Sequence, residues 1–83
     1  MNEVEKEYTF WYGHAMQLAA QGNYNEAVKD FNRALQIKPD SHEAWWNRGN
    51  TLCFLEEYTE AIFSYDKALK INPNKEFSWQ NPR

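Results

Sequence analysis

Eighty-three residues allow one small domain at most, below the size at which a single core is comfortably stable. The net charge of −3, a pI near 5.3 and the absence of any Lys/Arg cluster speak against a nucleic-acid partner, and no apolar run approaches the roughly 18 residues that a membrane span needs. The acidic start Met1–Glu7 is the opposite of a secretory leader, and Cys53 is the single cysteine, so no disulfide framework or thiol metal cluster is expected and a reducing, cytoplasmic setting is the default.

After a charged extension at 1–7, Phe10, Trp11, His14, Ala15, Leu18 and Ala19 recur at three- and four-residue spacing and predict a helix near residues 8–21. Gln21-Gly22-Asn23 interrupts it, with Gly22 suited to a left-handed helix end. Ala27, Val28, Phe31, Ala34, Leu35 and Ile37 form the next stripe, over 24–37, which Pro39 ends. Asp40-Ser41 offers capping side chains to a third helix near 42–55, with Ala44, Trp45, Arg48, Gly49 and Leu52 on one face. A fourth, near 58–71, carries Ala61, Ile62, Tyr65, Ala68, Leu69 and Ile71 and stops at Pro73. No segment has strand periodicity, so the expected fold class is all-α: two antiparallel helix hairpins and no β-sheet. Glu76 to Gln80 begins a further helix that Asn81-Pro82-Arg83 ends, so the chain reads as a trimmed piece of a longer array or as an engineered one.

The four helices are one unit written twice. Trp11, Trp45 and Trp79 stand 34 residues apart, and the same shift superposes Leu18 on Leu52, Tyr24 on Tyr58, Glu26-Ala27 on Glu60-Ala61, Ala34-Leu35 on Ala68-Leu69 and Pro39 on Pro73. Such a period marks a tandem stack of supersecondary units, each too small to bury its own apolar face. Small residues recur as faithfully: Ala15 with Gly49, Ala27 with Ala61, and Ala34 with Ala68. They let helix backbones approach and leave holes, which Trp11 or Trp45 can fill.

This order of Trp, small, Leu, Tyr, Ala, aromatic, Ala and Pro resembles the tetratricopeptide repeat (TPR). It reads Trp11, Ala15, Leu18, Tyr24, Ala27, Phe31, Ala34, Pro39 in a first repeat at 8–41. In a second, at 42–75, it reads Trp45, Gly49, Leu52, Tyr58, Ala61, Tyr65, Ala68, Pro73, and residues 76–83 begin a third. The resemblance implies a right-handed α-solenoid. Two positions depart from the family pattern. The seventh, usually apolar, is His14 or Arg48, and the glycine of the first hairpin turn, Gly22, is matched by Glu56, which would be strained by roughly 1 kcal/mol if left-handed.

Nothing in the chain assembles an active site, and no cofactor or metal is expected. His14 and His42 share no metal-ligand spacing; His14 is expected to pack on the inner face of its helix with a hydrogen bond, and His42 to be exposed. Cys53 has no activating histidine in its helical turn and reads as a small buried side chain. Glu56 and Glu57 read as a solvated turn.

The resemblance instead implies a non-catalytic protein-interaction module whose first helices line a concave groove for a peptide or helix of another protein. The matching positions are Thr9, Tyr12, Gly13, Met16, Ala19 and Ala20, then Glu43, Trp46, Asn47, Asn50, Cys53 and Phe54. Asn47 and Asn50 could grip a peptide backbone, since a side-chain amide both donates and accepts. Relatives that capture a chaperone's terminal carboxylate use cations and asparagines at positions here held by Tyr12, Met16, Asn47, Phe77 and Asn81. Every cation is missing, so no such clamp is expected. The alternative is structural self-assembly into a homodimer, through Phe63, whose twin in the first repeat is Lys29, and through Phe77 and Trp79.

Overall fold

The computed structural model describes residues 2–73, which form four α-helices and, among the described residues, no strand: α1 Glu3–Ala20, α2 Tyr24–Ile37, α3 His42–Phe54 and α4 Tyr58–Ile71. α1 pairs with α2, α3 with α4, and α2 packs against α3, so two hairpins stack. The last three helices lie where the apolar stripes place them. α1 starts five residues early. Asn2 caps it by accepting the Glu5 amide at 2.8 Å, and Glu3 and Glu5 complement the helix dipole in the first turn. Residues 3–7, which composition marks as an extension, are therefore helical, and Glu5 reaches Lys38 at 3.3 Å across the repeat boundary. Residues 76–83 lie outside the described residues, as do Phe77 and Trp79.

Both hairpins turn through the same helix-ending motif. The Asn23 amide donates to the Leu18 carbonyl at 2.8 Å and that of Gly22 to Ala19 at 3.0 Å. In the second repeat Glu57 donates to Leu52 and Glu56 to Cys53, both at 2.9 Å. The motif requires a left-handed residue, and Gly22 (φ 85°) and Glu56 (φ 62°) both take that conformation. The turn is thus kept where its glycine is lost, at a cost of roughly 1–2 kcal/mol for a residue with a Cβ. Glu56→Gly is expected to stabilise the chain by up to about 1 kcal/mol, less than the full strain because glycine also gains freedom in the unfolded state. A urea melt with an unchanged slope and a higher midpoint would show it; a lower midpoint would count against strain at Glu56.

At Ala15 and Gly49 the space is taken by rings from the second helices and not by the tryptophans. Ala15, Ala27 and Phe31 have no exposed surface and form the centre of the first hairpin, ringed by Tyr12, Leu18 and Ala19. In the second, a Cβ on Gly49 would lie 2.8 Å from Cε1 of Tyr65. The fillers are therefore Phe31 and Tyr65, one repeat apart on the second helices. Trp11 lies instead against Phe10 and His14 with the Arg33 guanidinium 4.7 Å over its ring. Trp45 meets Phe63 edge-on at 5.8 Å, lies beneath Arg48 and Lys67, and donates its indole N–H to the Pro39 carbonyl at 2.9 Å. A wide ring with a donor suits this half-buried place better than a close helix crossing does.

The departure at the seventh repeat position has a structural reason. His14 is hydrogen-bonded, as expected, but its side chain is half exposed rather than inward, and its Nδ1 meets the buried carboxylate of Asp30. Arg33 also donates to Asp30, at 2.6 Å. One repeat later Arg48 donates to the buried hydroxyl of Ser64, reaches Glu60 at 3.5 Å and bonds Asn32 Oδ1 at 2.7 Å. His14–Asp30 and Arg48–Ser64 are register equivalents: a polar staple closes each hairpin where the family pattern has an apolar contact. His42 is half buried rather than exposed, with its Nε2 3.2 Å from the Asn72 amide nitrogen.

α4 does not repeat the burial of α2. Leu35 is 7% exposed but its twin Leu69 is 39%; Val28 and Ile37 are half buried, whereas Ile62 and Ile71 are exposed. α3 covers α2, and among the described residues no helix covers α4.

Candidate functional site

α1, α2 and α3 enclose a hollow of about 300 Å³, lined by Met16, Ala19 and Ala20 of α1, Tyr24 and Phe31 of α2, and Asn47, Asn50, Thr51 and Phe54 of α3. That is the lower end of the size range of ligand sites. The paired alanines keep side-chain volume out of it, and fully buried Phe31 gives it an apolar base. Tyr24 and Phe54 form one wall, their rings stacked 4.8 Å apart and within 3° of parallel. Phe54 nevertheless remains 67% exposed and Met16 40%, so the walls carry accessible apolar surface.

The amides stand one turn apart on α3, and each is half spent. Asn47 Nδ2 donates to the Tyr12 hydroxyl at 3.0 Å and to the Glu43 carbonyl at 2.9 Å, which uses both its hydrogens. Asn50 Oδ1 accepts from the Tyr65 hydroxyl. Among the described residues Asn47 Oδ1 and Asn50 Nδ2 have no hydrogen bond, so the site shows an outside molecule one acceptor and one donor. Both orientations are set by their partners. Burial pushes the Tyr65 phenol up to about 12, with Cys53, its Sγ 3.6 Å from the hydroxyl, adding to the shift; Tyr65 therefore stays neutral and goes on donating at physiological pH.

Of the residues that sequence places in the groove, Met16, Ala19, Ala20, Asn47, Asn50 and Phe54 come together at the hollow. Tyr12 adjoins it through Asn47 and meets Phe31 edge-on at 6.0 Å. Trp46 does not line it; its ring lies 4.5 Å from that of Tyr65, the register copy of the Tyr12–Phe31 contact. Thr9 and Gly13 lie outside the lining, with open space around Gly13. Cys53 is half buried beside Tyr65, not fully buried as expected. Glu43 gives Asn47 its backbone carbonyl. Sequence reasoning missed Tyr24, Phe31 and Thr51. Their signal was present but ambiguous, since the first two recur as repeat aromatics and read as hairpin packing alone. A second hollow of about 440 Å³ lies among Asn25, Val28, Lys29, Leu52, Leu55 and Glu57, without an aromatic wall or an amide pair.

Two stacked helix hairpins of one design, joined by a shared apolar interface, define an α-helical repeat protein. A family profile described as TPR repeat matches residues 16–53, and one described as Tetratricopeptide repeat matches residues 42–75. Together they span most of the chain, which belongs to the tetratricopeptide repeat family, a family whose members are in general non-catalytic protein-interaction modules. No curated protein matches the chain. Among the described residues no helix is long and apolar enough to cross a membrane.

Proposed function

We propose that the chain is a non-catalytic binding module that holds an extended peptide of another protein in the hollow between α1, α2 and α3. The unspent Asn47 Oδ1 and Asn50 Nδ2 beside an apolar pocket carry this reading. An extended segment has backbone N–H and C=O groups to offer such a pair, whereas the interior of a helix has already used its own. Met16, the Tyr24–Phe54 wall and Phe31 supply the apolar contact that anchors one side chain. His14, His42 and Cys53, the histidines and the thiol, lie against Asp30, Asn72 and Tyr65. Lone Cys53 suits a reducing, cytoplasmic setting.

The test is selection from an immobilised library of synthetic extended peptides, followed by titration of the strongest binders. Phe54→Ala and Asn50→Ala are each expected to weaken binding by roughly 1–2 kcal/mol, and Thr9→Ala to leave it unchanged. Binders indifferent to Phe54 and Asn50 would overturn the site.

Exposure of Phe63 (50%) and of the α4 stripe Tyr58, Ile62 and Leu69 favours a second reading, in which two copies associate through α4. Sedimentation across concentration tests it. A monomer at millimolar concentration would rule it out.

A further inference from the structure

The groove is electrically incomplete at one end. Glu43 stands in the first turn of α3, one turn before Asn47, on the groove side of that helix. Of the first-turn acids of the other helices, Glu26 has Lys29 at 3.6 Å, Glu60 has Arg48 at 3.5 Å and Glu5 has Lys38 at 3.3 Å, while Glu3 at the far start of α1 has no ion pair among the described residues. Among the described residues Glu43 has none, and it is exposed. The nearby cations are spent, Lys38 on Glu5 and on the Tyr8 ring at 4.9 Å, Arg48 on Asn32, Ser64 and Glu60. No Lys or Arg lines the hollow. Beside Glu43 stand Tyr8 and Tyr12, stacked at 5.6 Å. Their phenols are held above the ordinary value first by burial, and the Glu43 carboxylate adds to the shift in both, so its field reaches the groove wall.

Resting on the groove reading above, we propose that the ligand is an extended peptide segment of another protein carrying a Lys or Arg four residues from a large apolar side chain. The apolar side chain enters the hollow while the cation meets Glu43 beside the Tyr12 ring. Charge complementarity selects the sign. In a protein of net charge −3, an acidic side chain at this place would face Glu43 with no cation to shield it. Helix geometry selects the spacing. From Glu43 to the middle of the Asn50–Phe54 wall is nine residues of α3, about 13.5 Å at 1.5 Å per residue. An extended chain advances about 3.3 Å per residue, so four residues cover about 13 Å, and an even separation puts both side chains on the same side of the strand. The contacts with the hollow set most of the affinity, and Glu43 sets the preference among peptides.

The experiment titrates the full chain with fluorescein-labelled nonapeptides that carry one Leu and, four residues away on either side, Lys, Gln or Glu. A further peptide has its Lys three residues away. At low salt each step from Lys to Gln to Glu is expected to weaken binding roughly threefold to fivefold, the scale of one exposed ion pair, and the three-residue spacing to bind like Gln. Glu43→Gln should flatten the series and Glu43→Lys invert it, with circular dichroism showing both variants folded. Equal binding of Lys, Gln and Glu peptides that still depends on Phe54 would overturn this proposal and leave the groove standing. Binding of none of them by the folded chain would overturn both.

Discussion

Phe31→Ala is expected to cost about 3–5 kcal/mol, the largest effect of any single truncation in the chain. Among the described residues Phe31 is the largest side chain with no exposed surface, and it fills the space that Ala15 and Ala27 leave open between α1 and α2. Folded domains are stable by only about 5–15 kcal/mol, and one this small sits toward the low end, so the substitution removes most of the available margin. The expected result in a urea melt is loss of the native baseline near room temperature. Tyr65→Ala makes the decisive comparison. Tyr65 occupies the same place in the second hairpin, but α4 lies uncovered among the described residues and Tyr65 is only half buried, so its truncation should cost about half as much. Equal costs would mean that the face of α4 is covered in solution, as the self-association reading requires. Phe31→Leu keeps the hairpin packed while reshaping the base of the hollow, and it separates loss of fold from loss of ligand.

Much of this architecture was legible in the sequence because the chain states it twice. An apolar position seen once is ambiguous between chance and packing; Leu18 with Leu52, or Ala34 with Ala68, is not. The helix bounds followed from Gly22, Pro39 and Pro73, each of which ends a helix for a stated steric reason. Residues 3–7 escaped because their contact with the rest of the chain, Glu5 with Lys38, is polar and leaves no apolar period, and the Asn2 cap has no equivalent in the second repeat to draw attention to it. The tryptophans misled through size. A large ring at an invariant spacing looks like a core filler, yet Trp45 needs an acceptor for its indole N–H and finds it in the Pro39 carbonyl at the boundary of the repeat. The groove was read half correctly for a related reason. Positions on α1 and α3 follow from helix periodicity alone, but Tyr24 enters from α2, and its partner Phe54 comes 30 residues later in the next repeat. Contacts between repeats have no periodic signature within either one.

The second large effect is expected at Gly49, where Ala should cost about 1 kcal/mol and Val about 3. A glycine inside a helix is itself unfavourable by about 1 kcal/mol relative to alanine, so α3 gives up helix stability here for a steric reason. The reason is the Tyr65 ring. A Cβ would lie 2.8 Å from its Cε1, and overpacking of this kind costs roughly 1–3 kcal/mol before the helix gain is credited. The ring cannot easily retreat. Its hydroxyl is held by Asn50 and lies 3.6 Å from Cys53 Sγ, and the Trp46 ring lies 4.5 Å from its own. In the first hairpin the same two positions are Ala15 and Phe31, both without exposed surface, so this backbone geometry accepts a methyl group when the opposing ring has no hydroxyl to tether it. Tyr65→Phe should therefore make Gly49→Ala nearly neutral while leaving Gly49→Val severe, a coupling that a double-mutant cycle of urea melts measures directly. An unchanged cost of Gly49→Ala in the Tyr65→Phe background would show that Trp46, rather than the hydroxyl, pins the ring, and that the two hairpins close by different contacts despite their common design.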